Sequence, residues 1–193
     1  MNPTVVMPEM TVVWPDIETE VVWPNRKRIC IDLDGVVCEY DFPKIVKEHF
    51  GVKIKGQEIY AYDLPDVLGV SQEDINTMFQ EQVQGRPQFI RGSVETLFMW
   101  KCKGYKLTIF SNRTKYMGYD GLMKWLRYWH IPFTDIDGGK DEYDVHIDDS
   151  PAKLMLTNSK TKLLFTQPWN KRCLNITGQL IRVKNWQEVR ENV

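Results

Sequence analysis

No apolar run in these 193 residues approaches the roughly 20 needed to cross a bilayer as a helix, which excludes an integral membrane helix. The N-terminus has no basic region followed by an apolar one, so a secretory signal is not expected. Neither charge sign is in excess. With 25 basic and 26 acidic residues and no basic block, the chain lacks the cationic surface that holds long nucleic acids. Cysteines are few, and none of Cys30, Cys38, Cys102 and Cys173 forms a C-x-x-C pair. Reduced thiols in a cytoplasmic protein are therefore expected, with Cys30 and Cys102 in apolar settings. The three histidines, His49, His130 and His146, are scattered and outline no zinc site. His146 falls within an apolar strand pattern, which predicts a structural role.

What is present is ordinary in bulk and unusual in one place. A hydrophobic fraction of 42% and this length suit one full core with a modest insertion, or two small domains. The stretch Arg28-Ile-Cys-Ile-Asp-Leu-Asp-Gly-Val-Val37 organises the rest. Ile29 to Ile31 reads as a strand buried on both faces, as in a parallel sheet. Asp32 stands where that strand ends, which is where open α/β sheets gather ligands. A second carboxylate, Asp34, follows at once. Two acids so close repel unless a cation lies between them. Gly35 lets the backbone turn after them.

Ahead of that stretch, residues 1–27 repeat a short unit: Thr4-Val-Val-Met-Pro8, Thr11-Val-Val-Trp-Pro15 and Glu20-Val-Val-Trp-Pro24. Each is β-prone and closed by proline, suiting a tail or an extended arm. Tryptophans in a tail are costly to leave in water, so docking on the body or on a second subunit is expected. Self-association through this arm is the corresponding expectation.

Residues 39–91 read as a small helical insertion. A helix should begin at Asp41 and stop at Gly51. Ile59 to Leu68 reads as irregular. Ser71 and Asp74 form a capping-box-like start to a helix with Ile75, Met78, Phe79 and Val83 inward. Helices and strands then alternate. A helix over Ser93–Lys103 should face Val94, Leu97 and Phe98 inward, with Lys101 or Cys102. Strand Lys106–Ser111, helix Tyr119–Trp129, strand Asp144–Asp148, a helix opened by Ser150-Pro151, strands Lys162–Phe165 and Leu180–Val183, and a closing helix follow. This order predicts an α/β fold: a Rossmann-like parallel sheet with helices on both faces. The core is 28–38 and 92–193, and 39–91 is a cap inserted after the first strand.

Three strands end in polar clusters: Asp32-Leu-Asp-Gly, Ser111-Asn-Arg and Asp148-Asp-Ser. In a parallel sheet these ends share one rim. Four carboxylates there call for a divalent cation, and oxygen ligands without histidine or thiolate point to Mg2+.

The ordered set D-x-D-G-V, a strand ending S-N-R, a lysine, and a strand ending I-D-D resembles the haloacid dehalogenase (HAD) superfamily of phosphohydrolases. That resemblance covers about Arg28 to Val193. It implies that Asp32 is the nucleophile forming an aspartyl-phosphate and that Asp34 is the general acid and base. It implies that Ser111 binds phosphate beside the Asn112 amide, with Arg113 also near the substrate. Lys140, in Gly138-Gly-Lys-Asp141, best matches the lysine that neutralises the phosphoryl group, with Lys115 as runner-up. Asp148 matches a metal ligand and Asp149 a second or outer one, with Asp32 and the backbone of Asp34 completing the set. An anionic nucleophile reaches a phosphate dianion only when a metal and a lysine offset the repulsion.

The tail Leu163-Leu-Phe-Thr-Gln-Pro-Trp-Asn170 and Ile181-Arg-Val-Lys-Asn-Trp186 resembles the branch of 5'-nucleotidases and 5'(3')-deoxyribonucleotidases. It implies hydrolysis of a nucleoside 5'-monophosphate, with Tyr40, Phe42, Tyr60 and Tyr62 of the cap available to stack on a base. Two features depart from that branch. Ser-Asn-Arg stands in place of Thr-Ser-x, and Trp129 to Asp149 resembles phosphatases of sugar phosphates. A sugar phosphate or other small phosphoester is therefore the alternative substrate. A non-catalytic binding or assembly module is the alternative of another class.

Overall fold

The computed structural model describes residues 26–54, 64–83, 87–136, 142–173 and 180–193. The repeated N-terminal units, Tyr60, Tyr62 and Lys140 lie outside the described residues, as does the side chain of Phe42.

Six parallel strands form the central sheet. They are β1 (Arg28–Ile31), β4 (Lys106–Ile109), β5 (Asp135–Ile136), β6 (Glu142–Asp148), β7 (Asn158–Phe165) and β8 (Leu180–Val183), in the order β5-β4-β1-β6-β7-β8. β1 lies between β4 and β6, with Ile31 opposite Ile109 on one side and Ile147 on the other. Both of its faces are covered, which is why Ile29, Cys30 and Ile31 are all apolar and fully buried. Backbone pairing continues one residue beyond the strand: Asp32 N–H donates to the Ile147 carbonyl, 3.0 Å, and Phe110 N–H to the Ile31 carbonyl, 2.9 Å. The carboxyl ends of β1, β4 and β6 are thus in register on one rim.

A two-residue antiparallel pair, β2 (Cys38–Glu39) with β3 (Gln88–Phe89), flanks the exit from and return to the main chain path. Between these strands lie α1 (Phe42–Phe50), α2 (Leu64–Leu68) and α3 (Gln72–Val83). The Asp41 side chain caps α1 by accepting from Lys44 N–H, and Gly51 closes it at φ 70°. Ser71 and Asp74 exchange reciprocal hydrogen bonds at the start of α3. Ile45, Val46 and Met78 make a small apolar cluster of their own. Leu64–Leu68 is helical rather than irregular, with Pro65 at its second residue, where a missing N–H costs nothing.

The main core joins the sheet to α4 (Ser93–Cys102), α5 (Arg113–Tyr128) and α7 (Trp186–Glu191). α6 (Pro151–Leu156) connects β6 to β7. In α4 the inward residues are Leu97 and Trp100, while Phe98 is 54% exposed and Cys102 faces out. The helix is apolar nearly all round, so its pattern carries no phase, and Trp100 wins the core by its contact with Trp186. α5 starts six residues earlier than its apolar stripe suggests and is broken at Gly118, φ 68°. Among the described residues no helix is long and apolar enough to cross a membrane.

Candidate active site

Asp32, the first residue past β1, is 3% exposed. Asp148 ends β6 and Asp149 follows it. All three are buried, and one oxygen from each lies within 4.8 Å of the others. Burial, then the neighbouring Asp148, pushes the Asp32 carboxyl well above the ordinary carboxylate range. The same two causes push Asp149 up to about 7. Among the described residues one cation faces them. Lys153 Nζ donates to Asp32 Oδ2 at 2.9 Å and lies 3.8 Å from Asp148 Oδ2. Burial lowers the tendency of this lysine to hold its proton, but Asp32 and Asp148 more than offset it, so it stays charged.

Lys153 went unnoticed in the sequence. It lies in the first turn of α6, whose cap is Ser150 and whose first residue is Pro151. A helix that starts immediately after a rim strand brings its first turn back over that rim. The run Asp148-Asp-Ser-Pro-Ala-Lys153 was the available signal. Lys153 stands beside the first aspartate; Lys140, the lysine the resemblance implied there, lies outside the described residues.

Among the described residues, three acids against one lysine leave a surplus of negative charge. Asp32 Oδ1 and Asp148 Oδ2 are buried without a hydrogen-bond partner. Unpaired oxygens of this kind are costly unless an ion meets them. An all-oxygen donor set fits a hard divalent cation such as Mg2+. On the far side of Asp148, His146 Nε2 is 3.5 Å from Oδ2, and its Nδ1 is 2.7 Å from Thr157 Oγ1. His146 is fully buried within β6.

A pH dependence follows. Asp32 and Asp149 titrate higher in the folded chain than at the reference 3.8. Between that value and about 7 the native state holds more protons than the unfolded one, so stability falls as pH rises. We expect the Tm in EDTA to drop across this window and the gain from Mg2+ to grow over it, because metal favours the ionised acids. A Mg2+ increment that is the same at pH 5 and pH 8 would contradict this.

Asp34 stands apart from the three. Its carboxylate, about a third exposed, is gripped by Arg113: Nη2 to Oδ1 at 2.8 Å and Nε to Oδ2 at 3.0 Å. Arg113 is fully buried and lies 4.0 Å over the Trp125 ring. Nη2 also meets the Tyr40 hydroxyl. Tyr40 packs on the small cluster of Ile45, Val46 and Met78, which ties the end of β2 to this ion pair. Burial and the Asp34 carboxylate hold the phenol protonated. Ser111, buried at the end of β4, accepts from Arg113 N–H at 3.3 Å. Asn112 is exposed at the start of α5. The structure thus brings Asp32, Asp148 and Asp149 into one cluster and joins Asp34, Arg113 and Tyr40 in a second arrangement beside it.

A loop after β7 completes the rim. Gln167 Nε2 donates to the Gly35 carbonyl at 2.6 Å, and Trp169 Nε1 donates to Asp149 Oδ2 at 2.8 Å. Asn170 Nδ2 donates to the Asp149 and Phe165 carbonyls at 2.8 and 2.7 Å. Gly35 has φ +84°, and a Cβ there would sit 2.4 Å from Asp149 Oδ2. Only glycine satisfies both the turn and that approach.

Known proteins resemble the chain in two ways. The family described as "5' nucleotidase, deoxy (Pyrimidine), cytosolic type C protein" matches residues 26–193. No curated protein matches the sequence. Among solved structures, a haloacid dehalogenase-like family hydrolase from Streptococcus pneumoniae aligns with TM-score 0.56 and 15% identity, over 87% of this chain and 99% of that one. A HAD-superfamily hydrolase from Ehrlichia chaffeensis gives 0.52 and 11%, over 88% and 97%. The HAD-hydrolase YfnB from Bacillus subtilis, described as bound to magnesium, gives 0.50 and 14%, over 88% and 100%. At such identities these structures speak to the fold.

Proposed function

The chain belongs to the cytosolic type C deoxy (pyrimidine) 5'-nucleotidase family of HAD phosphohydrolases, and from that premise we propose that it hydrolyses a nucleoside 5'-monophosphate, in its deoxy form, with Asp32 as nucleophile. As a phosphoric monoester hydrolase of this family it cleaves a phosphoester. The observation that carries the residue assignment is Lys153, at 2.9 Å from Asp32 in a buried triad of acids.

Asp32, Asp148 and Asp149 would hold Mg2+, with the Asp34 backbone as a further ligand. When bound, the ion supplies positive charge against which the buried carboxylates and a phosphate dianion coexist. Lys153 holds Asp32 in place, opposes the rise in its proton affinity, and presents a second positive charge to the phosphoryl group. Ser111 offers a hydroxyl on the adjacent strand end for a phosphoryl oxygen, beside the exposed Asn112 amide. Asp34 handles the leaving-group proton, then that of the attacking water. Arg113 holds the Asp34 carboxylate by two hydrogen bonds, fixing its position between turnovers. We assign residues 39–91 as the cap over this rim, with Tyr40 as its innermost aromatic, and residues 1–27 as an arm for self-association.

Phosphate release from a panel of phosphomonoesters with Mg2+ tests the substrate. Deoxynucleoside 5'-monophosphates should be turned over with the highest kcat/KM. Equal or better turnover of sugar phosphates would refute the nucleotide assignment and favour the sugar phosphate reading raised by the Trp129–Asp149 segment.

A further inference from the structure

Trp169 has two attachments that the proposed chemistry does not use. Its indole N–H donates to Asp149 Oδ2 at 2.8 Å, and Asp149 is only 5% exposed. Its ring packs against Ile75 of α3, which is 2% exposed, in a cluster with Phe50, Leu68 and Phe79. One side chain therefore touches both a carboxylate of the acidic triad and the apolar face of the helices between β2 and β3.

The surroundings leave Asp149 little freedom to act alone. Gly35 closes on its carboxylate from the β1 side, and the adjacent Asn170 amide holds its backbone carbonyl. Gln167, two residues before Trp169, binds the Gly35 carbonyl. The loop 167–170 thus clamps the turn after Asp32 and the residue after Asp148 together. The rotation of the Asp149 carboxylate is set by the indole, and the indole is seated by Ile75.

From this contact we infer that Trp169 is a positioning residue that couples the seating of α3 to the affinity of the acidic triad for Mg2+. This rests on the metal reading above. Side chains that orient a ligand are worth about 10–100-fold in metal affinity. Because coupling between two sites is reciprocal, Mg2+ must in turn steady α3.

Calorimetric titration with MgCl2 and hydrogen exchange over residues 72–83 read both directions without turnover. In the native protein Mg2+ should bind and slow exchange in α3. Trp169→Phe keeps an aromatic ring against Ile75 and removes the N–H. It should weaken Mg2+ by about tenfold and abolish the Mg2+-dependent protection of α3. Ile75→Ala leaves the indole N–H in place and should also weaken Mg2+. Unchanged Mg2+ affinity in Trp169→Phe, or full protection of α3 in that variant, overturns the coupling while the metal site stands. No heat of Mg2+ binding in the native protein overturns the metal reading and this inference with it.

Discussion

Asp32→Asn is expected to lose phosphate release by about 10^4-fold or more, the scale on which removal of a nucleophile acts. Asparagine keeps the shape of the side chain but cannot attack phosphorus. The fold should survive. Asp32 is buried among acids, and burial and Asp148 both disfavour its charge. Removing that charge relieves repulsion, while Lys153 keeps Asp148 within 3.8 Å. The metal-free variant should therefore melt within a few degrees of the native protein. Tm and phosphate release measured on one preparation check both halves. Near-native turnover by a folded variant removes Asp32 from the chemistry.

The second large effect separates two lysines. Lys153→Met removes the lone cation within hydrogen-bond reach of Asp32 among the described residues, leaving the triad without its offsetting charge. Loss of one preorganised charge at a reacting centre typically costs 10²–10³-fold in kcat, and about that loss is expected here. On this assignment Lys140→Met should leave kcat near native, since Lys153 lies 2.9 Å from Asp32, the proposed nucleophile. The side chain of Lys153 is 18% exposed, and methionine keeps the length of its apolar stem, so the loss of the charge should read out in kcat. The reverse ranking, with Lys140→Met severely impaired and Lys153→Met active, would return the role to the lysine chosen from sequence.

The contrast between those lysines shows where sequence reading succeeds. A strand buried on both faces must be apolar throughout, so Ile29-Cys-Ile31 announces itself and fixes where Asp32 stands. Val145 and Ile147 place Asp148 in the same way, although the buried His146 interrupts the apolar run. Strand order then puts three polar clusters on one rim without further knowledge. Lys153 and Arg113 were harder, because each is defined by a partner far along the chain: Asp32 lies 121 residues before Lys153, and Asp34 lies 79 residues before Arg113. The guanidinium of Arg113 is buried over Trp125, twelve residues on, a contact that no local pattern announces. Trp169 carries its information in an N–H, which periodicity ignores. α4 misled for the opposite reason: with apolar residues on every side, its pattern does not say which face is core, and Phe98 and Cys102 turned out to point outward.

The most direct test of the central claim is chemical capture of the intermediate. Native protein is quenched in acid during turnover of a deoxynucleoside 5'-monophosphate with Mg2+, reduced with borohydride, and digested for peptide mass mapping. Borohydride converts an aspartyl-phosphate to homoserine. The account predicts homoserine at position 32, dependent on substrate. Steady turnover with Asp32 unmodified, or with the mark on another residue, would contradict it.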